Sequence, residues 1–385
     1  MVYERRVNQL QEVLRGRGLA GAILFQSRDI FYYTGTAQPS YFVVLPNNHM
    51  LFVRKGYEFA RRECGLEAER IVSETNIEAI CQQMFPGDGA REKVGTELDV
   101  LTVLQSRRLS RALGERELVD VSGDILNQRM IKDPKEIESI KKACCALHAG
   151  HMATVSCLRA GMSELELAAN VENAQRLAGH EGIFFMRFPD FVMGRGPLAS
   201  GPNLRQKSGT VYTITGIGLS SAVPAGPSHR IMEPGDLVLV DIPACVDGYH
   251  ADQSRMYAVG QIPEGALDLF CRLRKVSDFL INSLSPRMTT GDAFALAEGR
   301  AMELELGQAF MGFESQANAY FVGHGIGLEL NEPPLLVRQG NVLIESGMVL
   351  AIEMHMMVPG GLTVKLEDTV HLTQEGVQVL TTSPR

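Results

Sequence analysis

The sequence has 385 residues, which is more than one ordinary hydrophobic core accommodates, so two domains are expected. Hydrophobic residues make up 45% of the chain and charged residues 21%, a globular composition that excludes a disordered or fibrous protein. The formal net charge of −8 argues against a nucleic-acid partner, because phosphate binding needs clustered Lys and Arg. It suits a peptide or small-molecule substrate, and a site in which several carboxylates surround a cation.

The cysteines and the start of the chain favour the reducing cytoplasm. The seven cysteines form no CxxC pair, and their number is odd. The opening segment MVYERRVNQLQEVLR lacks the apolar stretch of a secretory signal, and no apolar run reaches the ~20 residues that span a bilayer. We therefore expect free thiols and no membrane partner.

Helical and strand patterns alternate over residues 1–130, which predicts an N-terminal α/β domain. Asn47-Asn48 supplies the turn of a β-hairpin. The predicted helices lie near residues 4–17, 56–63, 75–84 and 101–112, and the predicted strands at 20–25, 41–46 and 49–54. This domain contains no residue cluster that predicts catalysis.

A second domain is expected over residues 133–385, beginning with a helix that has Asp133 as N-cap and Pro134 in its first turn. Two helices followed by a hairpin occur twice, and Met162-Ser163 matches Met288-Thr289 in this weak repeat. The helices lie near residues 135–158, 163–178, 264–284 and 291–306, and the hairpins at 237–260 and 347–372. The order predicts two similar halves that face each other across a common site.

Two pairs of acidic residues interrupt the apolar strands of these hairpins. Asp241 and Asp252 flank one turn, and Glu353 and Glu367 flank the other. Members of each pair are predicted to face each other, with Cβ atoms about 4.5–5.5 Å apart. Solvent exposure is the alternative for any one acid. Two symmetric pairs favour cation binding, since facing carboxylates repel each other unless a cation lies between them or one is protonated.

His324 adds a nitrogen ligand to this set of oxygens. The glycines on both sides of it let the backbone approach a ligand or an adjoining strand. A lone histidine is more often a hydrogen-bonded core residue. Beside four carboxylates, one imidazole completes a set that suits paired Mn²⁺, Co²⁺, Fe²⁺ or Zn²⁺ rather than a structural zinc.

The spacing of these residues and their neighbours forms one recognisable set of motifs. The motifs are the eleven-residue step from Asp241 to Asp252 ending in Asp-Gln-Ser-Arg255, Gly323-His324-Gly325-Ile326-Gly327, Asn331-Glu332-Pro333-Pro334, Glu353 after Gly347-Met348-Val349, and Glu367-Asp368. They resemble the creatinase, prolidase and methionine aminopeptidase superfamily, the pita-bread metallopeptidases, and within it the Xaa-Pro aminopeptidase and Xaa-Pro dipeptidase branch. The resemblance implies an α+β protein with a creatinase-like N-terminal α/β domain, then a pseudo-two-fold catalytic domain in which helices flank an antiparallel sheet. It also implies a homodimer.

The same resemblance implies a dinuclear metal centre of Mn, Co, Zn or Fe that hydrolyses Xaa-Pro bonds. Asp252 and Glu367 would bridge the two ions, Asp241 would hold one, and His324 with Glu353 would hold the other. The ions, about 3.5–4 Å apart, would share a water molecule and lower its pKa. Glu353 is the implied general base.

Three departures from the family pattern concern the substrate side. Ala225, Asn331 and Lys365 stand where the peptidases usually carry His, His and Arg. Asn331 can donate a hydrogen bond but cannot act as an acid or base at neutral pH. The substrate-side candidates are therefore His229, Asn331, His355 and Lys365, with His250 as a further histidine close to a site motif. Any single one of these histidines is more often a surface or packing residue.

Three functions remain open. The first is an Xaa-Pro dipeptidase or aminopeptidase. The second is a metal-dependent C–N hydrolase of a small amide, amidine or cyclic compound, as creatinase and ectoine hydrolase are, and the altered histidines favour it. The third is a non-catalytic binding scaffold. It ranks last, because such scaffolds typically lose ligands and this chain keeps all five.

Overall fold

Two units make up the chain, Met1–Arg129 and Met130–Arg385. The computed structural model describes residues 2–188, 195–209, 213–313 and 319–385. Within these ranges, no helix is both long and apolar enough to cross a bilayer. The seven cysteines are all free thiols, as expected.

The first unit is built on a six-stranded mixed sheet with the order β4-β3-β2-β1-β5-β6. Its elements are α1 (Val2–Gly16), β1 (Gly21–Leu24), α2 (Ser27–Thr34), β2 (Ser40–Leu45), β3 (Asn48–Val53), α3 (Tyr57–Glu63), β4 (Ile71–Ser73), α4 (Ile77–Met84), β5 (Lys93–Thr96), α5 (Val103–Leu113), β6 (Glu117–Asp120) and α6 (Ser122–Met130). The predicted hairpin is confirmed, since β2 and β3 are antiparallel and Leu45 pairs with Asn48. The amphipathic α1 buries Val7, Leu10 and Leu14, which recur at helical spacing.

The second unit combines helix pairs with antiparallel sheets. Its elements are α7 (Pro134–Cys157), α8 (Glu164–Leu177), β7 (Leu198–Ser200), β8 (Leu237–Val240), β9 (Ala244–Val246), β10 (Tyr249–Ala251), β11 (Arg255–Ala258), α9 (Ala266–Ser283), α10 (Thr290–Glu303), β12 (Phe321–Gly325), β13 (Glu332–Val337), β14 (Val349–Met357), β15 (Thr363–Thr373) and β16 (Gly376–Val379). The sheets have the orders β11-β8-β7, β10-β9 and β13-β12-β14-β15-β16. This arrangement confirms the predicted α+β fold.

Side-chain caps explain where the helices of the second unit begin. Asp133 accepts hydrogen bonds from the first turn of α7, and Glu136 completes a capping box with Pro134 in the first turn. Ser163 caps α8, and Thr289 caps α10. The short repeat in the sequence therefore marks two equivalent helix starts.

The long strands β14 and β15 are buried on both faces, which positions the site. Leu350, Ile352 and Met354 of β14 pack with Val364 and Leu366 of β15 in the hydrophobic core of this unit. Successive side chains of a strand point to opposite faces. The odd-numbered residues between them therefore share the other face, and this face carries the acidic residues.

Candidate metal centre

Glu353 and Glu367 face each other directly in the ladder of β14 and β15, as predicted. The next pair of the ladder on the same face is His355 opposite Lys365. All four side chains are buried. The alternative that these acids lie on a solvent-exposed sheet face is thereby excluded.

Asp241 and Asp252 lie close to each other along the first hairpin but are not directly opposed, so that part of the prediction is wrong. Val240 pairs with Arg255, and Ala244 pairs with Ala251, which places the two aspartates in the break between the paired segments, two residues out of register. The turn explains the offset. Asp247 and Gly248 have φ values of 53° and 78°, so they alone form the two-residue turn and the hairpin centre shifts by one residue along the chain.

Asp252, His324 and Glu367 form the group best suited to hold a cation. One ligand atom from each lies within 4.8 Å of the others, and all three side chains are buried. Nδ1 of His324 lies 2.9 Å from the carbonyl oxygen of Gly325, which assigns the proton to Nδ1 and leaves the Nε2 lone pair for a cation. Oε1 of Glu353 is 3.5 Å from that Nε2.

One carboxylate oxygen of this cluster would be stabilised by a bound cation. Glu367 Oε1 is buried and has no hydrogen-bond partner among the described residues. An unpaired buried carboxylate oxygen is costly, and a divalent cation would satisfy it. The donor set of carboxylates and one imidazole thus fits a divalent metal ion.

The charges in the cluster are strongly coupled. Burial, followed by the neighbouring carboxylates, raises the pKa of Asp252 and Glu367 well above their usual range. Burial also raises the pKa of Asp241. For Glu353, burial works in the same direction, but Lys365 and His324 outweigh it and the pKa is lowered. The group as a whole therefore needs more positive charge than the described side chains supply.

Lys365 contributes the positive charge that the cluster contains. Its Nζ lies 2.6 Å from Asp241 Oδ2, 2.8 Å from Glu353 Oε2 and 3.5 Å from Glu367 Oε2. The sequence grouped Lys365 with the substrate-side candidates. The structure places its ammonium among the carboxylates themselves.

The other histidines that the sequence singled out differ in their surroundings. His355 is buried, with Nε2 2.9 Å from the carbonyl oxygen of Gly312, and burial lowers its pKa to about 4. His250 is also buried, and both its ring nitrogens bind backbone groups, at Gly327 and Phe185. That agrees with the packing alternative for His250. His229 is exposed, Asn331 is partly exposed and Ala225 is buried.

Several residues that support the ligands were not identified from the sequence. Ser254 donates to Glu367 Oε2 at 2.7 Å, and Thr369 Oγ1 accepts from the backbone N–H of Asp252 at 2.9 Å.

The glycines on both sides of His324 allow the adjoining strands to approach its backbone closely. A Cβ at Gly323 would lie 2.5 Å from the carbonyl oxygen of Ala351, and Gly325 is similarly confined by β13.

Comparison with known proteins matches both units of the chain. Residues 138–374 match metallopeptidase family M24, and residues 6–131 match the creatinase/prolidase N-terminal domain. The Xaa-Pro dipeptidase of Pyrococcus furiosus is 25% identical over 386 residues, which cover 99% of this chain and 99% of that protein.

Solved structures give the same result for the fold. An Xaa-Pro dipeptidase from Bacillus anthracis has a TM-score of 0.82 at 25% identity, covering 100% of this chain and 98% of that one. A prolidase from Pyrococcus furiosus has a TM-score of 0.78 at 23% identity, covering 97% of this chain and 100% of that one. These similarities confirm the predicted arrangement of a creatinase-like N-terminal domain and a catalytic domain.

Proposed function

The chain belongs to metallopeptidase family M24, and on that premise we propose that it is a metal-dependent peptidase that hydrolyses Xaa-Pro bonds. One observation carries the proposal: Asp252, His324 and Glu367 bring their ligand atoms within 4.8 Å of one another in a buried site. Relatives that match over nearly the whole chain are named Xaa-Pro dipeptidase, which supports the choice of substrate.

We propose two divalent ions, Mn, Co, Zn or Fe, as the cofactor. Asp252 and Glu367 would be shared between the ions, Asp241 would hold one, and His324 with Glu353 would hold the other. When bound, the ions would act as Lewis acids that acidify a water molecule and polarise the scissile carbonyl group. Glu353 and Glu367 are paired across β14 and β15, and His324 lies on the neighbouring strand β12, which supports a shared site for these three side chains.

Glu353 is the proposed general base. Its pKa is lowered despite burial, chiefly because the positive charge of Lys365 favours the carboxylate form. The ionised carboxylate can accept the proton of the attacking water and deliver it to the amide nitrogen that leaves. Ser254 holds the neighbouring carboxylate Glu367 by donating to Oε2, which keeps that oxygen directed into the cluster.

A second function stays open because the substrate side departs from the peptidase pattern. Ala225 and Asn331 cannot transfer protons at neutral pH, and His355 is neutral there. These residues favour a substrate whose leaving group needs less help from an acid, such as a small amide, an amidine or a cyclic compound. The third function, a non-catalytic scaffold, ranks last, because the chain keeps all five candidate ligands.

A substrate panel tests the proposal. Chelated protein reloaded with Mn²⁺, Co²⁺ or Zn²⁺ is given Xaa-Pro dipeptides and Xaa-Pro tripeptides, with the matched Xaa-Ala peptides as controls. Selective cleavage of Xaa-Pro bonds supports the peptidase, and the length preference separates dipeptidase from aminopeptidase. If the protein binds stoichiometric metal but cleaves no peptide, the result favours the second function, hydrolysis of a C–N bond in a small compound. Protein that binds no metal is the outcome expected of a scaffold.

Assembly and location complete the proposal. We propose a homodimer on the basis of the family resemblance, which light scattering coupled to size-exclusion chromatography can test. The seven free thiols support a reducing compartment such as the cytoplasm.

A further inference from the structure

We propose that the ammonium group of Lys365 occupies the position of one of the two ions, so that it competes directly with the ion held by Asp241. The centre would then bind one divalent ion tightly and a second ion only after this ammonium moves away. The inference rests on the proposed function in taking the five side chains as ligands. It concerns how many ions are bound and how strongly.

The oxygens of the cluster divide into two groups. Oε2 of Glu353, Oε2 of Glu367 and Oδ2 of Asp241 lie within 3.5 Å of Lys365 Nζ. On the other side, Oε1 of Glu353 and Oε1 of Glu367 lie 3.5 and 4.0 Å from His324 Nε2. The two glutamates therefore direct one oxygen to the histidine and the other to the lysine.

The group of oxygens near His324, the histidine side, contains an oxygen that a bound cation would stabilise. Glu367 Oε1 has no hydrogen-bond partner among the described residues, whereas Oε2 accepts from Ser254 and lies near Lys365. Asp252 belongs to the histidine side by its ligand geometry. Three side chains are therefore already arranged around this position.

The other group of oxygens, the lysine side, already surrounds a cation, the buried ammonium of Lys365. Lys365 is 1% exposed, and it precedes Glu367 by two residues on β15, so its side chain leaves the strand on the same face. Its ammonium is a compact point charge with three donors, whereas the arginine usual in the family is a wide planar fork. A compact charge can take the position of an ion among carboxylates. Displacing it would break buried ion pairs, which is strongly unfavourable.

Manganese binding without substrate tests the inference. Chelated full-length protein is titrated with Mn²⁺ alone, and bound metal is measured by equilibrium dialysis and elemental analysis. We expect one ion per chain, followed by a second whose dissociation constant is about 100-fold larger or more, because the second ion must displace a buried ion pair. In Lys365→Met, which keeps the length of the side chain and removes the charge, we expect two ions with dissociation constants within about tenfold.

The control variant is Lys142→Met, which makes the same chemical change at an exposed lysine paired with Asp247. It should reproduce the wild-type binding curve. The proposal is overturned if the wild-type protein binds two ions with similar affinity, or if Lys365→Met keeps the wild-type gap. The wild-type curve decides by itself if the Lys365 variant does not fold. Since no peptide is present, a failure here is distinct from a failure to cleave Xaa-Pro bonds.

Discussion

Arg255 donates from Nη2 to Asp368 Oδ1 over 2.7 Å, and neither side chain is more than 3% exposed. Arg255 also donates from Nη1 to the backbone carbonyl of Glu367 at 2.6 Å. One guanidinium therefore ties the segment that follows Asp252 to the strand that carries Glu367. The two carboxylates proposed to be shared between the ions are held in position by this contact.

Arg255→Ala should lower both stability and metal affinity. Asp368 would lose a buried partner, and the carbonyl of Glu367 would lose its donor, so we expect the free energy of unfolding to fall by about 3 kcal/mol. Urea denaturation of the chelated protein measures this change. The matched control is Arg338→Ala, which removes a pair with Glu298 in which the arginine is 64% exposed and should cost less than about 1 kcal/mol. Equal losses in both variants would contradict the structural role of Arg255.

Asp252→Asn should stabilise the metal-free protein while abolishing activity. Burial and the carboxylate of Asp241 raise the pKa of Asp252, so its ionised form is disfavoured in the fold. The neutral amide removes this cost, and we expect the free energy of unfolding at pH 8 to rise by about 1–3 kcal/mol. Thermal melts of chelated protein and a turnover assay after reloading check the two effects. A variant with near-native turnover would remove Asp252 from the proposed ligands.

Divalent metal should raise the melting temperature through His324. An ion that binds only the folded chain stabilises it by about 2.7 kcal/mol at a hundredfold excess over its dissociation constant. Differential scanning fluorimetry across a Mn²⁺ series should show this rise in the wild-type protein, and chelator should reverse it. His324→Ala should keep the fold and lose most of the response. A full response in this variant would show that the metal binds elsewhere.

The first unit should lose stability in acid through His49. Burial, with a contribution from Arg70, lowers the pKa of His49 to about 4, and Nε2 is buried without a partner among the described residues. The unfolded chain takes up this proton near pH 6.5, and the folded chain does so only near pH 4. The unfolded state therefore binds more protons in this window, and stability falls as the pH drops through it, by about 3 kcal/mol in total.

Urea unfolding followed by circular dichroism between pH 7.5 and 4 measures the loss, and the difference between wild-type and His49→Phe isolates this histidine. The difference should be constant above pH 7 and should change in favour of the variant below pH 6. His229→Gln changes an exposed histidine and should leave the slope unaltered. An identical pH slope in wild-type and His49→Phe would refute the role of His49.

Much of the fold and most of the site could be predicted, because the signals are local. Asp133, Ser163 and Thr289 begin helices through hydrogen bonds to residues two or three positions away. The opposed pair Glu353 and Glu367 follows from strand alternation on either side of a glycine turn. Such patterns are complete within a short stretch of sequence, so they can be recognised there.

The missed features depend on backbone detail or on weak local signals. The helix α2 was not predicted, because it is short and contains Tyr32 and Tyr33, a residue type that favours strands. The offset between Asp241 and Asp252 follows from positive φ angles at Asp247 and Gly248, and a shift of one residue in the turn moves the pairing by two. The turn residues were visible in the sequence, but the turn length was not.

The sequence by itself identified the candidate ligands: four carboxylates on apolar hairpins and one imidazole between glycines, in a chain with the motifs of one metallopeptidase family. Strand alternation places Lys365 on the same face as Glu367, but tertiary structure alone decided that its ammonium reaches Asp241. Its closest partner, Asp241, is 124 residues away along the chain. A charge interacts with whatever the fold brings near it, through a low-dielectric interior that strengthens the contact, and no periodic pattern in the sequence records that distance.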